Sequence, residues 1–380
     1  MNNNFPFDWK VAPLATEVIK YQNGYAFPSE GYSSEGVPIV TIANVSLDGL
    51  FQFNPIKEKK WPADKSTSLE NFFVNSGDVI IAMTDVTPNM AVIGRGAFVS
   101  RNYRMLLNQR VGLIKPTDNL LPQYLSYVLN SDYWRAYCKR VAALGAQANI
   151  GTKEILDGVI AIPTIGEQIK ITEILAAIDE QIEVTGKLIE KKSSIAEGIL
   201  HNFLINNHSK SWSNKTLRDI FTICYGKDHK NINDGPYPVL GTGGVMRHCS
   251  SYLYDNPSVL IGRKGSIDKT QFIEEPFWTV DTLFYTKIHE GYDPYFVYLL
   301  TKIIDFRSLN EATGVPSLNT ESIYRVSVTV PDNIGEQEKI VEIMRCVYSD
   351  LTNEENYLNK LRKKKQGLMQ DLLTGRVRVN

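Results

Sequence analysis

Two cations that stand between glycines are the first residues with clear chemical potential. Arg263 and Lys264 lie in the stretch 262–266, directly after the apolar run Ser258–Gly262. A strand that ends in glycine can aim a flexible cation while its backbone stays close to a ligand. Arginine and lysine donate to the acceptor edge of guanine and to phosphate, so this stretch predicts contact with nucleic acid.

Other polar loops between predicted strands carry similar residues, including the stretches 101–104, 108–110 and 225–227. Asparagine and glutamine are the side chains that pair with adenine. The candidate nucleic-acid contacts are Asn23, Arg95, Arg101, Arg104, Gln147, Asn149, Lys227, Arg247, Arg263, Lys264, Lys269 and Asn319. A solvated surface position is the competing interpretation for each of them. The basic run 362–365 is interpreted either as a phosphate or partner contact or as a solvated helical face.

No motif for catalysis or metal binding accompanies these loops. The sequence has no GxxxxGK[ST] phosphate loop, and the glycine-rich stretch 241–247 does not fit GxGxxG, which favours a turn between strands. The five histidines and four cysteines show no metal-ligand spacing. We therefore predict a binding protein with no catalytic residue and no metal site.

Composition limits the class of protein further. The 380 residues, 43% of them hydrophobic and 22% charged, are enough for two or more globular domains. The N-terminus lacks a signal-peptide pattern and no apolar stretch approaches about 18 residues, so we expect a cytoplasmic protein with no membrane contact. The net charge of −1 argues against a stand-alone nucleic-acid binder. We expect both that basic residues share one surface and that partner subunits supply part of the positive charge.

A long segment with a helical pattern occurs twice. The copies begin at Ile165 and Ile334 with Ile-Gly-Glu-Gln, and each follows a proline, Pro163 or Pro331. Apolar residues alternate steps of four and three, which is the coiled-coil pattern, and about 40 residues correspond to a rod of roughly 60 Å. A pair of long helices inside one bundle is the alternative. The predicted coiled-coil spacer residues are Ile171, Leu175, Ile178, Ile182, Ile189, Ile199, Phe203, Ile340, Met344, Val347, Leu351, Leu358, Leu361, Leu368 and Leu372.

The segments before the two helices are also related, which indicates a duplicated unit. Trp9 and Trp212 stand at matching places, and Pro122 and Pro294 each open a predicted short helix. The predicted divisions are globular domains at 1–162 and 211–330 and helical segments at 163–210 and 331–380. The predicted class is α+β, with two globular domains separated by two long antiparallel helices and pseudo-two-fold within one chain. The second helix can share the seam only by running back along the first.

In this organisation the chain resembles the specificity (S) subunits of type I restriction–modification systems. The resemblance covers essentially the full length. It rests on the order globular unit, helix, globular unit, helix, on the repeated Pro-x(2–3)-Gly-Glu-Gln-x-Lys-Ile helix start, and on the ending at 367–379. The stretch 262–266 followed by 277–281 also resembles a pattern of target-recognition domains, and the first domain has no such stretch.

The resemblance implies a non-catalytic subunit with two target-recognition domains. Each domain is expected to bind one half of a split double-stranded DNA sequence, while the helices set the gap and dock methyltransferase (M) subunits. No cofactor is expected in this chain, because S-adenosylmethionine belongs to the methyltransferase and ATP and Mg to translocase–endonuclease (R) subunits. Two alternatives stay open: a helical protein-binding scaffold, and a specificity chain for a combined methylase–nuclease.

Overall fold

The computed structural model describes residues 5–143, 147–206 and 211–379. The chain divides into two compact units: unit 1 comprises Met1–Val184 with Leu358–Asn380, and unit 2 comprises Thr185–Tyr357. Both boundaries between the units, at 184/185 and 357/358, fall inside a long helix rather than at its end. Of the predicted helical segment 163–210, residues 207–210 lie outside the described part of the chain.

The N-terminal half of the chain supplies most elements of unit 1. Its strands are β1 (Lys10–Pro13), β2 (Val18–Asn23), β3 (Val37–Val40), β4 (Lys60–Trp61), β5 (Phe73–Val74), β6 (Val79–Ala82), β7 (Thr84–Asp85), β8 (Gly96–Phe98), β9 (Met105–Leu107), β10 (Val111–Pro116), β11 (Ala148–Asn149) and β12 (Val159–Ile162). Its helices are α1 (Ala63–Ser66), α2 (Pro122–Val128), α3 (Asp132–Val141), α4 (Thr152–Asp157) and α5 (Ile165–His201), of which the last begins in unit 1 and ends in unit 2. Short 3-10 turns occupy Leu14–Glu17, Ser29–Gly31, Ile42–Asn44 and Thr67–Phe72.

The C-terminal half supplies the elements of unit 2. Its strands are β13 (Trp212–Thr216), β14 (Phe221–Tyr225), β15 (Tyr237–Gly241), β16 (Gly244–Cys249), β17 (Ser258–Gly262), β18 (Gln271–Ile273), β19 (Trp278–Thr279), β20 (Leu283–Ile288) and β21 (Ser327–Pro331). Its helices are α6 (Leu217–Ile220), α7 (Pro294–Lys302), α8 (Thr320–Tyr324) and α9 (Ile334–Leu373), of which the last ends in unit 1. A π-helical turn at Asn202–Asn206 follows α5, and Phe306–Leu309 forms a 3-10 turn.

Each unit is built on a four-stranded antiparallel sheet with the same order of strands. The order is β2-β10-β6-β8 in unit 1 and β14-β20-β17-β18 in unit 2. The apolar runs of β6 and β17 are buried at every position, as expected for strands covered on both faces. Helices α2 and α7 begin with proline and pack apolar side chains onto these strands. The predicted duplication is therefore present in three dimensions.

A second sheet in each unit contains one parallel pair. In unit 1 the order is β4-β3-β9-β5, with β3 parallel to β9; in unit 2 it is β16-β15-β19, with β15 parallel to β19. The glycine-rich stretch 241–247 forms the turn between β15 and β16 and the start of β16, as predicted. Antiparallel pairs β1–β12 and β13–β21 lead directly into α5 and α9.

The repeated Gly-Glu-Gln joins each long helix to its own globular domain. The buried Gln168 accepts from the backbone N–H of Leu121 at 2.8 Å and donates to the carbonyl of Pro163 at 3.0 Å. The buried Gln337 makes the matching bonds to Asp293 at 3.0 Å and Pro331 at 3.2 Å. A buried amide that satisfies several backbone groups is costly to replace, which explains why both copies carry glutamine here.

The glutamate of the repeat has a matching partner in each unit. The indole Nε1 of Trp9 donates to Glu167 at 3.1 Å, and that of Trp212 donates to Glu336 at 2.8 Å. Trp9 directly precedes β1, and Trp212 is the first residue of β13. These two strands pair with β12 and β21, the last strand before each long helix.

The two long helices run antiparallel within each unit. In unit 1, Ile178 and Ile182 pack on Leu361, and Lys365 forms an ion pair with Asp179 at 2.6 Å. In unit 2, the ammonium group of Lys192 contacts carboxylates of α9 on successive turns, Asp350 and Glu354, both at 2.8 Å, while residues at the end of α5 pack near the start of α9. The helices contain 37 and 40 residues, and the predicted α+β class with two long antiparallel helices is confirmed.

The predicted spacer residues are all buried or half-buried. Those nearest the globular domains do more than pair the helices. Ile171, Leu175 and Leu372 belong to the core of the unit 1 domain, and Ile340 and Met344 to that of unit 2. The ends of the helices are thus parts of the domain cores. None of the described helices is long and apolar enough to cross a membrane.

Candidate nucleic-acid interface

Four loops of unit 2 converge at one end of its main sheet. They follow β14 and β17 and precede β20 and α8. Backbone hydrogen bonds join them: Lys227 donates to Thr279 at 2.9 Å, Arg263 donates to Thr282 at 2.9 Å, and Leu318 donates to Arg263 at 2.9 Å. We call these loops the unit 2 corner. Residues that are far apart in sequence therefore lie side by side on a scaffold held by strands.

Arg263 is positioned within this corner by polar and aromatic neighbours. Its guanidinium donates to the carbonyl of Asp281 at 3.2 Å and lies 5.4 Å from the ring centroid of Tyr225. The Tyr225 side chain is itself exposed. A cation over an exposed ring retains donors that face solvent, so the corner can present a guanidinium to an external acceptor.

In the unit 2 corner, backbone segments lie so close together that two positions have no room for a side chain. A Cβ atom on Gly226 would lie 2.0 Å from the carbonyl oxygen of Val280, and one on Gly262 would lie 2.3 Å from that of Ser266. Gly265 has a φ of 89°, which lies in the left-handed region. Glycine at these places is therefore a steric requirement, and the Gly-Arg-Lys-Gly pattern places its two cations on a tightly folded turn.

Unit 1 has the same hydrogen-bond pattern at its equivalent loops, which we call the unit 1 corner. Tyr25 donates to Leu107 at 2.8 Å, Met83 donates to Arg110 at 3.0 Å, and Ile150 donates to Met83 at 2.9 Å. A Cβ on Gly24 would lie 2.2 Å from a backbone carbonyl oxygen, as found for the glycine of unit 2. The two corners therefore correspond position by position.

The side chains at the corresponding positions differ. Arg263 corresponds to Met83, which is buried and accepts from the Tyr21 hydroxyl at 3.4 Å. Lys227 corresponds to Tyr25, which packs edge-on against Phe27. The equivalent pairs, unit 1 first, are Asn23 and Tyr225, Tyr25 and Lys227, Met83 and Arg263, Thr84 and Lys264, Gln109 and Asp281, Arg110 and Thr282, and Asn149 and Ser317.

Asp85 is a buried carboxylate in the unit 1 corner that is held by hydrogen bonds from its own loop. Burial alone would raise the pKa of this carboxyl, but hydrogen bonds from the Thr87 side chain and backbone and from the backbone of Val92 and Ile93 outweigh it and lower the pKa. The carboxylate is therefore ionised at neutral pH and satisfied from within its own loop. Its role is to hold the loop after β7.

Several predicted contacts lie in or beside the corners. Asn23, Asn149, Lys227, Arg263 and Lys264 are corner residues, and all but the half-buried Arg263 are exposed. Gln147 is exposed just before β11, and Lys269 is exposed between β17 and β18. Asn319 adjoins the unit 2 corner, but its side chain accepts from the backbone of Glu321 at 2.9 Å and caps α8.

The other predicted arginines lie outside the corners. Arg95 is half-buried and donates to the carbonyl of Ala91 at 2.7 Å, and burial lowers its pKa. Arg104 lies 3.7 Å from the ring centroid of Phe73, and Arg247 forms an ion pair with Asp234 at 3.3 Å. The exposed Arg101 belongs to the loop between β8 and β9. Arg95, Arg104 and Arg247 therefore contact residues of their own domains.

Sequence reasoning missed several corner residues as candidates: Thr84, Gln109, Arg110, Tyr225, Asp281, Thr282 and Ser317. The stretches 108–110, 225–227 and 277–281 contain four of them and stand out in the sequence, but no local pattern places 108–110 beside Gly24. A strand-by-strand alignment of the two halves is the signal that could have found it. In the described part of the chain, no group of three or more His, Cys, Asp or Glu side chains is arranged to hold a metal ion.

Comparison with known proteins identifies the family. A profile of the type I restriction modification DNA specificity domain matches residues 6–191 and again residues 209–363. The chain belongs to this specificity family. Its two matched segments carry the two globular domains and parts of both long helices, so this specificity subunit contains two target-recognition domains.

Individual relatives agree with this assignment. The chain is 27% identical over 210 residues to the type I restriction enzyme MjaVIII specificity subunit of Methanocaldococcus jannaschii, covering 52% of this chain and 46% of that protein. It thus spans about half the length of that curated relative. The type I S subunit of M. genitalium has the same fold, with a TM-score of 0.64, 17% identity, and coverage of 98% of this chain and 97% of the other.

A chain from a structure described as the basis of complex assembly and conformational transition of the type I R-M system is also similar in fold. The TM-score is 0.60 at 13% identity, with 98% of this specificity subunit and 100% of the other chain covered. At these identities the likeness concerns the fold. The residues of the two corners are therefore interpreted from their own geometry.

Proposed function

We propose that this specificity subunit is non-catalytic and that each of its corners contacts one half of a two-part double-stranded DNA target. The single observation that carries the proposal is the pair of corners. They keep the same backbone hydrogen bonds, yet they present different polar side chains at the same places. A duplicated scaffold with divergent contacts is what recognition of two unlike half-sites requires.

The charge of the chain supports a shared grip on DNA. A net charge of −1 is low for a protein that binds DNA phosphates without partner subunits. We propose that methyltransferase subunits supply further cations and bring S-adenosylmethionine to adenines of the target. Translocase–endonuclease subunits, with ATP and Mg, are the second proposed partner. The complex would act in the cytoplasm, and the specificity subunit itself would hold no cofactor.

The long helices are proposed to set the distance between the half-sites and to dock the methyltransferase. When two domains contact the same face of a DNA duplex, their half-sites lie roughly 34–36 Å apart, which is about one turn of the DNA helix. The proposed target therefore has two short specific halves separated by an unspecific gap.

The experiment that tests this function is methylome sequencing. The subunit is expressed with its methyltransferase in a host that lacks other adenine methylation, and a strain without the subunit is the control. We expect methylated adenines in one two-part motif that depends on the subunit. One continuous short motif, or a motif that persists without the subunit, would refute the proposal.

A domain exchange tests whether the units act separately. Residues 211–330 are replaced by the equivalent domain of a relative whose target differs. Because each corner lies within one unit, we expect one half of the motif to change while the other stays. A change in both halves would contradict separate reading.

A paired insertion tests the role of the helices. Seven residues added after Leu188 and seven after Glu355 lengthen both helices by about 10 Å and preserve the heptad pattern. This displacement corresponds to about three base pairs, so the gap is expected to lengthen while both halves persist. A single insertion, which leaves the facing helix short, is the control. An active paired variant with the original gap would exclude a spacing role.

The two alternative functions predict different results. A helical protein-binding scaffold would add no sequence preference to the methyltransferase. A specificity chain for a combined methylase–nuclease would yield the same kind of motif, but its partner would be a single polypeptide. Co-purification of the tagged subunit followed by mass spectrometry separates this second case from the three-subunit system.

A further inference from the structure

The two corners differ in a systematic way that bears on which bases they contact. At its paired positions, the unit 2 corner carries three cations, Lys227, Arg263 and Lys264, and one exposed carboxylate, Asp281. All four lie on loops that the backbone bonds to Thr279 and Thr282 hold together. Its donors are therefore charged and concentrated.

The exposed polar side chains of the unit 1 corner are mostly amides, and none of the three unit 2 cations has a charged counterpart in unit 1. Asn23, Gln109 and Asn149 are exposed at positions that correspond to Tyr225, Asp281 and Ser317. Gln147 is exposed two residues before Asn149, and Arg110 is the one cation among the unit 1 positions of these pairs in the described chain. The place of Arg263 is taken by a buried methionine, so a guanidinium cannot be presented from that turn.

These side-chain types match different bases. Arginine and lysine donate to the N7 and O6 acceptors of guanine, and a carboxylate accepts from the amino group of the paired cytosine. Asparagine and glutamine offer one donor and one acceptor, which suits the N7 acceptor and N6 donor of adenine. Four exposed amides and one cation are therefore suited to A·T pairs, and three cations with one carboxylate are suited to G·C pairs.

We propose that the unit 2 corner contacts G·C pairs of its half-site and that the unit 1 corner contacts A·T pairs of the other. This inference rests on the proposed function, because it assigns base classes to the two half-sites. Arg263 is the principal guanine contact, since its guanidinium is oriented by the Asp281 carbonyl and the Tyr225 ring. Asn149 is the counterpart in unit 1, because the pairing of β11 with β7 fixes its backbone.

The test uses the complex of this subunit with its methyltransferase and reads the methylome of single variants. Arg263→Ala is expected to reduce preference for one G·C pair by about 5- to 140-fold, the range of one bidentate contact. Arg263→Gln keeps most of the side chain's volume and should show the same loss. Asn149→Ala is expected to relax one A·T pair in the other half.

Two matched controls separate base contact from general charge or polarity. Lys287 is also an exposed cation over a tyrosine ring, 5.7 Å from the centroid of Tyr254, but it lies towards the other end of β20. Asn75 is an exposed amide at the end of β6 opposite Met83. Lys287→Ala and Asn75→Ala should leave the motif unchanged. Thermal unfolding of each variant shows whether its domain stays folded.

The outcomes distinguish failure of the base-class assignment from failure of the proposed function on which it rests. If wild type yields no two-part motif, the proposed function fails and the inference fails with it. If a two-part motif appears but the folded Arg263 variants relax an A·T pair or no pair, only the assignment of base classes is overturned. Relaxation of a G·C pair by the folded Asn149 variant would overturn it equally. Relaxation of G·C in one half and A·T in the other would establish it.

Discussion

Arg378 binds both carboxylate oxygens of Glu167. Nε lies 2.7 Å from Oε1, and a terminal guanidinium nitrogen lies 3.0 Å from Oε2. The same guanidinium donates two bonds to Asp8, at 3.0 and 2.8 Å. Because Glu167 also accepts from Trp9, one cluster joins the C-terminal tail, the N-terminal strand region and the start of α5 within unit 1.

We expect Arg378→Ala to lower the melting temperature of unit 1 in a pH-dependent manner. The hydrogen bond from Arg378 lowers the pKa of Asp8 below its ordinary value of 3.8. A carboxyl whose pKa is lower in the folded state contributes stability above its unfolded pKa and loses it as the pH falls through the folded value. The difference in melting temperature between wild type and variant should be full near neutrality and shrink below about pH 4.

The control for this experiment is Arg376→Ala. Arg376 stands two residues earlier in the same tail and contacts Asp371 at 3.6 Å. It should have little effect, because an exposed ion pair contributes little. Equal melting curves for the two variants at pH 7 would contradict the role assigned to Arg378.

Removing one partner of the ion pair between Lys365 and Asp179 should cost much more stability than replacing both. Both side chains are about one-tenth exposed, and the Tyr127 hydroxyl also donates to Asp179 at 2.8 Å. Lys365→Met leaves a buried carboxylate without its cation, and we expect a loss of about 3–5 kcal/mol in the free energy of unfolding. Lys365→Met with Asp179→Asn should recover much of it, because the amide oxygen still accepts from Tyr127. Denaturant unfolding measures both, and a double variant no more stable than the single one would contradict the prediction.

Gly226→Ala should disturb one corner and spare the other. The added Cβ would lie 2.0 Å from the Val280 carbonyl oxygen, so the loops must separate, at about 1–3 kcal/mol. We expect reduced methylation that depends on the half-site of unit 2, together with a lower melting temperature. Gly243→Ala is the matched control, because nothing lies within 4 Å of its added Cβ. Equal effects of the two variants would argue against a shaped corner.

Gln168→Leu should loosen the junction between α5 and its domain. Its amide bonds the backbone groups of Leu121, Asn119 and Pro163. Each backbone group left without a partner costs about 1–3 kcal/mol. Hydrogen exchange should rise around residues 119–121, and Gln337→Leu should act around Asp293 and Gly291 in unit 2. Protection that is unchanged in both variants would show that these bonds are dispensable.

The amino-acid sequence was sufficient to predict the architecture, because that architecture is repeated and periodic. The two Ile-Gly-Glu-Gln copies and their steps of four and three indicated two long helices. Pro122 and Pro294 do open helices, and the run Ser258–Gly262 is a buried central strand. These features depend on residues close together in sequence, whose apolar spacing and backbone preferences act locally.

Tertiary structure decided which polar residues share a surface. Arg263 meets Asp281 and Tyr225 only because β17, β20 and β14 are neighbours in one sheet, and strand order is not encoded in local spacing. Asn319 has the residue type of a base contact, but it caps a helix. Lys365 lies in a basic run whose sequence fits either a phosphate or partner contact or a solvated face, but it is buried against Asp179 because the facing helix supplies a carboxylate there. Each role depends on a partner far away in the chain, and only the folded protein brings that partner into contact.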